Sequence, residues 1–215
     1  MNILEIYNNY QIMPQLQQHQ LRVAGVAFSI CQELGSKVST KDVLTACLLH
    51  DMGNILKFDL ESELIPGQFE PQGKYFWQMV KGIYKEKYGP DEHTATSAIT
   101  KEIGASEKVI SLINSIGFFQ AIENSESENL EVKICSYSDM RVDPWGVVSL
   151  EERLKDLRKR YQENRQQEDL NKTLEFESAL RIIEKQLFTG LELKPENITE
   201  PALQTQIEKL KEWEV

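Results

Sequence analysis

Cysteine and histidine are both scarce in this chain, with three of each among 215 residues. The cysteines are Cys31, Cys47 and Cys135, which lie far apart in apolar segments. Because their number is odd and their spacing wide, they provide no complete disulfide framework. We therefore expect buried free thiols, which pack like small apolar side chains.

The N-terminal sequence MNILEIYNNYQIMPQ lacks the basic start and the apolar run of a signal peptide. No apolar stretch elsewhere approaches the length of a membrane span. The expectation is therefore a cytoplasmic protein with no membrane association.

Positive charge is in deficit, with 24 Lys and Arg residues against 34 Asp and Glu residues and a net charge of -10. Sequence-independent binding to nucleic acid requires a concentrated Lys and Arg surface, so we expect no nucleic-acid partner. A local basic pocket remains compatible with binding of a small phosphorylated ligand.

Strand-like alternation and internal repeats are also missing, whereas apolar residues recur with helical spacing along most of the chain. This pattern predicts an all-α fold. Helices are predicted over roughly 13–34, 40–51, 93–103, 106–116 and 130–142. The segment 59–91 is rich in Pro, Gly and aromatic residues, and we expect an irregular insertion there that covers a pocket.

Pro144 and Gly146 interrupt the helical pattern, and a capping-box pair, Ser149 and Glu152, opens a C-terminal amphipathic region. Three amphipathic helices are predicted there, with a polar loop or solvated helix end over 162–171. We expect a catalytic domain over residues 1–146 and a helical extension over 147–215. The extension either packs on the same domain or forms the seam of a homodimer.

Two of the three histidines are predicted on inward helix faces, which calls for an explanation. His19 lies on the apolar face of the first long helix, and His50 is followed directly by Asp51 in LLHDMGN. Near a helix end both side chains can reach one cation, and Asp139 falls on the apolar face of a later helix. This set of nitrogen and oxygen ligands suits a divalent metal with open water positions better than a closed thiolate zinc site.

In this order, His19, His50, Asp51 and Asp139 resemble the H…HD…D pattern of the HD-domain metal phosphohydrolases. The flanking sequences HQLRVAGVAFSI, ACLLHDMGNI and KICSYSDMRVDP fit as well, and the resemblance covers about residues 13–145. It implies an HD-domain helical bundle whose four ligands hold one divalent ion per chain, which would be Mn, Fe, Co, Ni, Zn or Mg. In such proteins the metal binds the phosphate and polarises a water or hydroxide for attack on phosphorus.

Two departures from the family pattern concern the catalytic groups. Asn54 stands three residues after Asp51, where some relatives carry a glutamate that assists the water and others a lysine. Asn54 can position a water but cannot take its proton, so the proton acceptor is Asp51, a metal hydroxide or another carboxylate such as Glu92. We also predict that Asp51 orients the attacking water. His93 resembles the first extra histidine of two-metal relatives, whereas the second is replaced near Asn114. His93 is either a phosphate-side acid or partial second-site ligand, or a surface histidine.

The remaining predicted catalytic residue is Arg22, a candidate phosphate ligand one turn from His19. Together these residues predict hydrolysis of a phosphoester or phosphoanhydride in a small phosphorylated substrate, with a nucleotide as the favoured class. Two other functions stay open: a regulatory protein that binds metal and nucleotide without turnover, and an interaction scaffold built on the C-terminal apolar stripes.

Overall fold

The computed structural model describes residues 1–61, 66–162 and 167–215. Within these ranges it describes every side chain except those of residues 160–162 and 167–170. These residues form eleven α-helices and no strand, which confirms the all-α prediction. The helices are α1 (Ile3–Asn9), α2 (Pro14–Leu34), α3 (Thr40–Leu49), α4 (Lys74–Tyr88), α5 (Glu92–Ile103), α6 (Glu107–Asn114), α7 (Ala121–Glu126), α8 (Leu130–Asp139), α9 (Leu150–Gln162), α10 (Gln167–Phe188) and α11 (Glu200–Leu210).

The α2 and α3 helices form the centre of the fold. Pro14 opens α2 at a position where the missing N–H costs no helical hydrogen bond, and α2 ends at Gly35, whose φ of 57° favours glycine. The Ser39 side chain accepts a hydrogen bond from the backbone N–H of Asp42 and so caps α3. Every α3 residue from 43 to 49 is buried. Because α2 also packs against α8 and α11, it contacts helices from both ends of the chain.

The prediction of an irregular insertion over 59–91 is wrong for its second half, where α4 runs from Lys74 to Tyr88. Trp77, Val80 and Tyr84 are buried at helical spacing and pack this helix onto the body. The Pro and Gly residues that suggested irregularity lie before and after the helix rather than within its apolar face. The prediction for 62–65, within that segment, lies outside the described residues.

The predicted polar connection over 162–171 falls largely outside the residues whose side chains are described, and 163–166 lie outside the described chain altogether. In the C-terminal region, α10 and α11 have clear packing partners. The α10 helix packs on α7 and α8, and α11 packs on α2. At the second contact Gly25 allows close approach, because a Cβ there would lie 3.2 Å from Ile207 Cγ1.

Cys31, Cys47 and Cys135 are buried and free, as predicted. No helix in the described part of the chain combines the length and the apolar character needed to cross a membrane.

Candidate metal centre

Three helices bring the sequence-predicted ligands together. His19 lies in the first half of α2, His50 follows the last residue of α3, and Asp139 is the last residue of α8. Each of these helices packs against the other two. The ligand atoms of His19, His50 and Asp139 all lie within 4.8 Å of one another, and the cluster could hold a metal ion.

The distances between the histidine nitrogens and the aspartate oxygens are short. His19 Nε2 lies 3.1 Å from Asp139 Oδ1, and His50 Nε2 lies 3.5 Å from the same oxygen. Asp51 joins from the side, with its Oδ2 at 3.7 Å from the Nε2 atoms of both histidines. Ligand atoms about 2.1 Å from one ion are separated by about 3.0 Å at right angles and about 3.4 Å at the tetrahedral angle. The observed spacing is therefore suitable for one shared cation.

The orientation of His50 supports this interpretation. Its Nδ1–H donates a hydrogen bond to the backbone carbonyl of Cys47 at 2.8 Å, so Nε2 is the ring nitrogen that faces the cluster. Among the described residues Nε2 finds no hydrogen-bond partner although the ring is buried. A histidine ligand is commonly held in this way, with one ring nitrogen on a carbonyl and the other on the metal.

The electrostatics of the cluster favour a positive charge. Burial opposes the charged form of His50, but the negative charges of Asp51 and Asp139 outweigh it and raise the pKa of His50 to about 9. Burial likewise opposes ionisation of Asp139. A hydrogen bond from His19 and the close approach of His50 nevertheless hold the pKa of this carboxyl well below its usual range. The field that attracts a proton to His50 also attracts a metal cation.

Asp51 forms hydrogen bonds with two residues, Gln20 from α2 and Asn54 from the turn that follows Asp51. The backbone N–H of Asp51 donates to Oε1 of Gln20, which is fully buried next to His19 in the chain. Asn54 Nδ2 donates to Asp51 Oδ2 at 2.7 Å. Asn54 thus contacts the carboxylate that faces the cluster, and its amide has no basicity with which to take a proton at neutral pH. Gln20 was not predicted, because nothing in the sequence distinguishes it from the other glutamines near the start of α2.

The turn after Asp51 packs against the start of α5. Gly53 donates its N–H to Thr96 Oγ1 at 2.9 Å. A Cβ at Gly53 would lie only 2.4 Å from the carbonyl oxygen of Glu92. The close approach explains why a glycine stands in the HDMGN segment.

Gly53→Ala is therefore expected to lower the free energy of unfolding by about 1–3 kcal/mol, because the backbone of the turn or of α5 must shift. Urea denaturation of the EDTA-treated protein measures this change. Gly82→Ala is the matched control, because Gly82 lies within α4 and a Cβ there would meet no atom within 4 Å. We expect Gly82→Ala to leave stability unchanged or raise it by up to about 1 kcal/mol. Equal effects of both variants would contradict the close-packing argument.

The other predicted residues, His93 and Arg22, are not part of the group of converging ligands. The His93 side chain is 81% exposed and lies 3.8 Å from Glu92 Oε1, outside the group of converging ligands. Arg22 is partly buried, and its Nε donates to Glu200 Oε1 at 2.8 Å. A further cation close to the site in sequence is Arg141, two residues after Asp139. It is buried, and its donors bond to protein carbonyls and a tyrosine hydroxyl.

A model of the HD domain matches residues 16–140, which is more than half of the chain. No curated protein and no solved structure matches the chain significantly. The matched range begins just before His19 and ends just after Asp139, so it contains every ligand of the cluster. HD domains bind divalent metals, and the His, His and Asp ligands observed here fit that property. The chain belongs to the HD-domain family, which is part of a superfamily of metal-dependent phosphohydrolases that includes some non-catalytic members.

Proposed function

We propose that this protein hydrolyses a phosphoester or phosphoanhydride bond of a small phosphorylated substrate, with a nucleotide as the favoured class. The observation that carries the proposal is the convergence of His19, His50 and Asp139 around a buried, unpartnered His50 Nε2. Two neutral imidazoles and carboxylates leave coordination positions open on a divalent ion, as catalysis requires. We propose that His19, His50, Asp51 and Asp139 hold one such ion.

A divalent ion supplies electrophilic assistance, because it lowers the pKa of water and screens the negative charge of a phosphoryl group. The chain contributes orientation. Asp51 accepts a hydrogen bond from Asn54 on the oxygen that faces the histidines, so its carboxylate is held in one rotamer at the edge of the cluster. In our proposal this carboxylate orients the attacking water, and Asn54 acts by fixing the carboxylate rather than as a base.

Phosphate needs a cation besides the metal, and Arg22 is the residue we propose for it. Arg22 lies three residues after His19 on α2, which places the two side chains on neighbouring parts of one helix face. His93, at the exposed start of α5, is proposed as an acid on the phosphate side. We also propose a cytoplasmic location for the protein, and a homodimer as one of the two arrangements of its C-terminal helices.

A second candidate is a regulatory protein that binds metal and nucleotide without turnover. Asn54 favours it, because the residue that in some relatives assists the water is here an amide bound to Asp51. The exposure of His93 outside the ligand cluster favours it as well, since the described residues then offer one metal position rather than two.

The deciding experiment combines elemental analysis with a phosphate-release screen over nucleoside mono-, di- and triphosphates and p-nitrophenyl phosphate. Each of manganese, iron, cobalt, nickel, zinc and magnesium is tested. About one metal per chain together with turnover supports the enzyme. Bound metal without turnover favours the regulatory protein, and the absence of metal affinity contradicts both.

Asp51→Ala is expected to reduce kcat/KM for the best substrate by about 10³ or more, because it removes a metal ligand and the group that orients water. Asp91→Asn is the matched control. Asp91 caps α5 with its side chain, and asparagine caps a helix equally well. Unchanged turnover and metal content in Asp51→Ala would refute the assigned site, whereas Asp91→Asn is expected to keep both.

A further inference from the structure

Glu200 connects the C-terminal helix to the helix that carries His19. It is the first residue of α11 and lies beyond the matched family range. Its Oε1 accepts a hydrogen bond from Arg22 Nε at 2.8 Å, and its Oε2 accepts one from the backbone N–H of Val147 at 3.0 Å. One carboxylate therefore joins α2, the turn after α8 and α11.

The geometry leaves part of the Arg22 guanidinium available. Glu200 engages Nε, and within the described part of the chain Arg22 donates no other hydrogen bond. The Arg22 side chain is 18% exposed, so its position is restricted without being closed to solvent. A guanidinium has five N–H donors in a rigid fork, and the two Nη groups can bind an oxyanion while Nε is engaged.

The position of Glu200 is set by packing along α11. Leu203 and Ile207, one and two turns further on, lie against Gly25, which is itself one turn beyond Arg22 on α2. Because no side chain separates the helices at Gly25, α11 packs closely on α2 at this position. Glu200 is thus presented to Arg22 by a rigid helix contact rather than by a loop.

We propose that Glu200 is a positioning residue for phosphate binding: it holds Arg22 through Nε so that the two Nη groups remain directed to the phosphate of the substrate. This inference rests on the proposed function of Arg22. A partly exposed ion pair with no further role would contribute little to stability. A positioning role predicts in addition that Glu200 affects phosphate binding only while Arg22 is present.

The test measures the affinity of metal-loaded protein for inorganic phosphate by titration calorimetry, which does not depend on turnover. We expect Glu200→Ala to weaken phosphate binding by about tenfold, since a freed guanidinium must be ordered by the ligand itself. Glu200→Gln keeps an oxygen acceptor and is expected to restore part of the loss. Glu196→Ala is the control, because it removes an exposed carboxylate four residues earlier, and it should bind phosphate like the wild type.

The double-mutant cycle decides between positioning and a general effect. If Glu200 acts through Arg22, then Arg22→Ala and Arg22→Ala/Glu200→Ala bind phosphate equally weakly. Equal affinities of wild type and Glu200→Ala, additive losses in the double variant, or loss of metal in Glu200→Ala would each overturn the proposal. A wild type that binds phosphate with this coupling but releases none from the substrates would refute the proposed hydrolysis and leave the positioning role intact.

Discussion

Asp139→Asn is expected to remove the bound metal and to reduce kcat/KM for phosphate release by about 10³ or more, which corresponds to about 4 kcal/mol. Asparagine keeps the shape of the side chain but removes the negative charge that both histidines contact, at 3.1 and 3.5 Å. It also replaces an anionic ligand by a neutral amide. Elemental analysis after dialysis against EDTA and re-addition of one equivalent of metal measures the loss directly.

Asp91→Asn is again the control, because it makes the same substitution and removes one negative charge at an exposed position. Near-ultraviolet circular dichroism of the metal-free variants distinguishes loss of a ligand from loss of the fold. A folded Asp139→Asn protein that still carries about one metal per chain would show that the cluster is not the metal site.

Arg141→Met is expected to lower the free energy of unfolding by about 3–5 kcal/mol. The substitution removes a buried charged group and leaves the buried oxygen atoms that it contacts without a hydrogen-bond donor. The Arg141 side chain is 2% exposed. Its donors bond to the Tyr137 hydroxyl and to the backbone carbonyls of Val148, Pro195 and Ile198. Arg141 therefore joins the end of α8 to two segments of the C-terminal region. Methionine retains the apolar stem but none of the donors.

Urea denaturation of EDTA-treated protein measures this effect without a contribution from metal binding. Arg181→Met is the matched control, because Arg181 is 38% exposed and pairs with Glu151, which is 65% exposed. Arg181 also lies 3.5 Å from the buried Glu177, but that carboxylate keeps its ion pair with Arg158 in the variant. Exposed pairs contribute about 1 kcal/mol or less. A loss in Arg141→Met no larger than in Arg181→Met would contradict a structural role for the buried guanidinium.

The helices around the metal centre could be predicted from sequence because their signals are local. Apolar spacing predicted a helix over 13–34, one residue from the observed start of α2, and a second helix from residue 40, where α3 begins. The order of His19, His50, Asp51 and Asp139 predicted the family, and the HD-domain match confirms that prediction.

The prediction was wrong where two local signals disagreed about the same segment. Pro and Gly residues on both sides of α4 suggested an irregular segment, although Trp77, Val80 and Tyr84 follow a helical period and are buried. The α1 helix was missed because it is only 7 residues long. It is stabilised by burial of Ile3, Ile6 and Tyr7 rather than by length, and burial depends on the rest of the fold.

The sequence by itself determined the helical class, the inward faces of α2 and α8, and the set of candidate ligands, because periodicity and residue chemistry are properties of short segments. Only the tertiary structure decided which side chains meet. It paired Arg22 with Glu200, 178 residues away, buried Arg141 among carbonyls of the C-terminal region, and left His93 at the surface. Such contacts depend on which helix docks on which, and a helical period reveals which face of a helix is buried but not its partner.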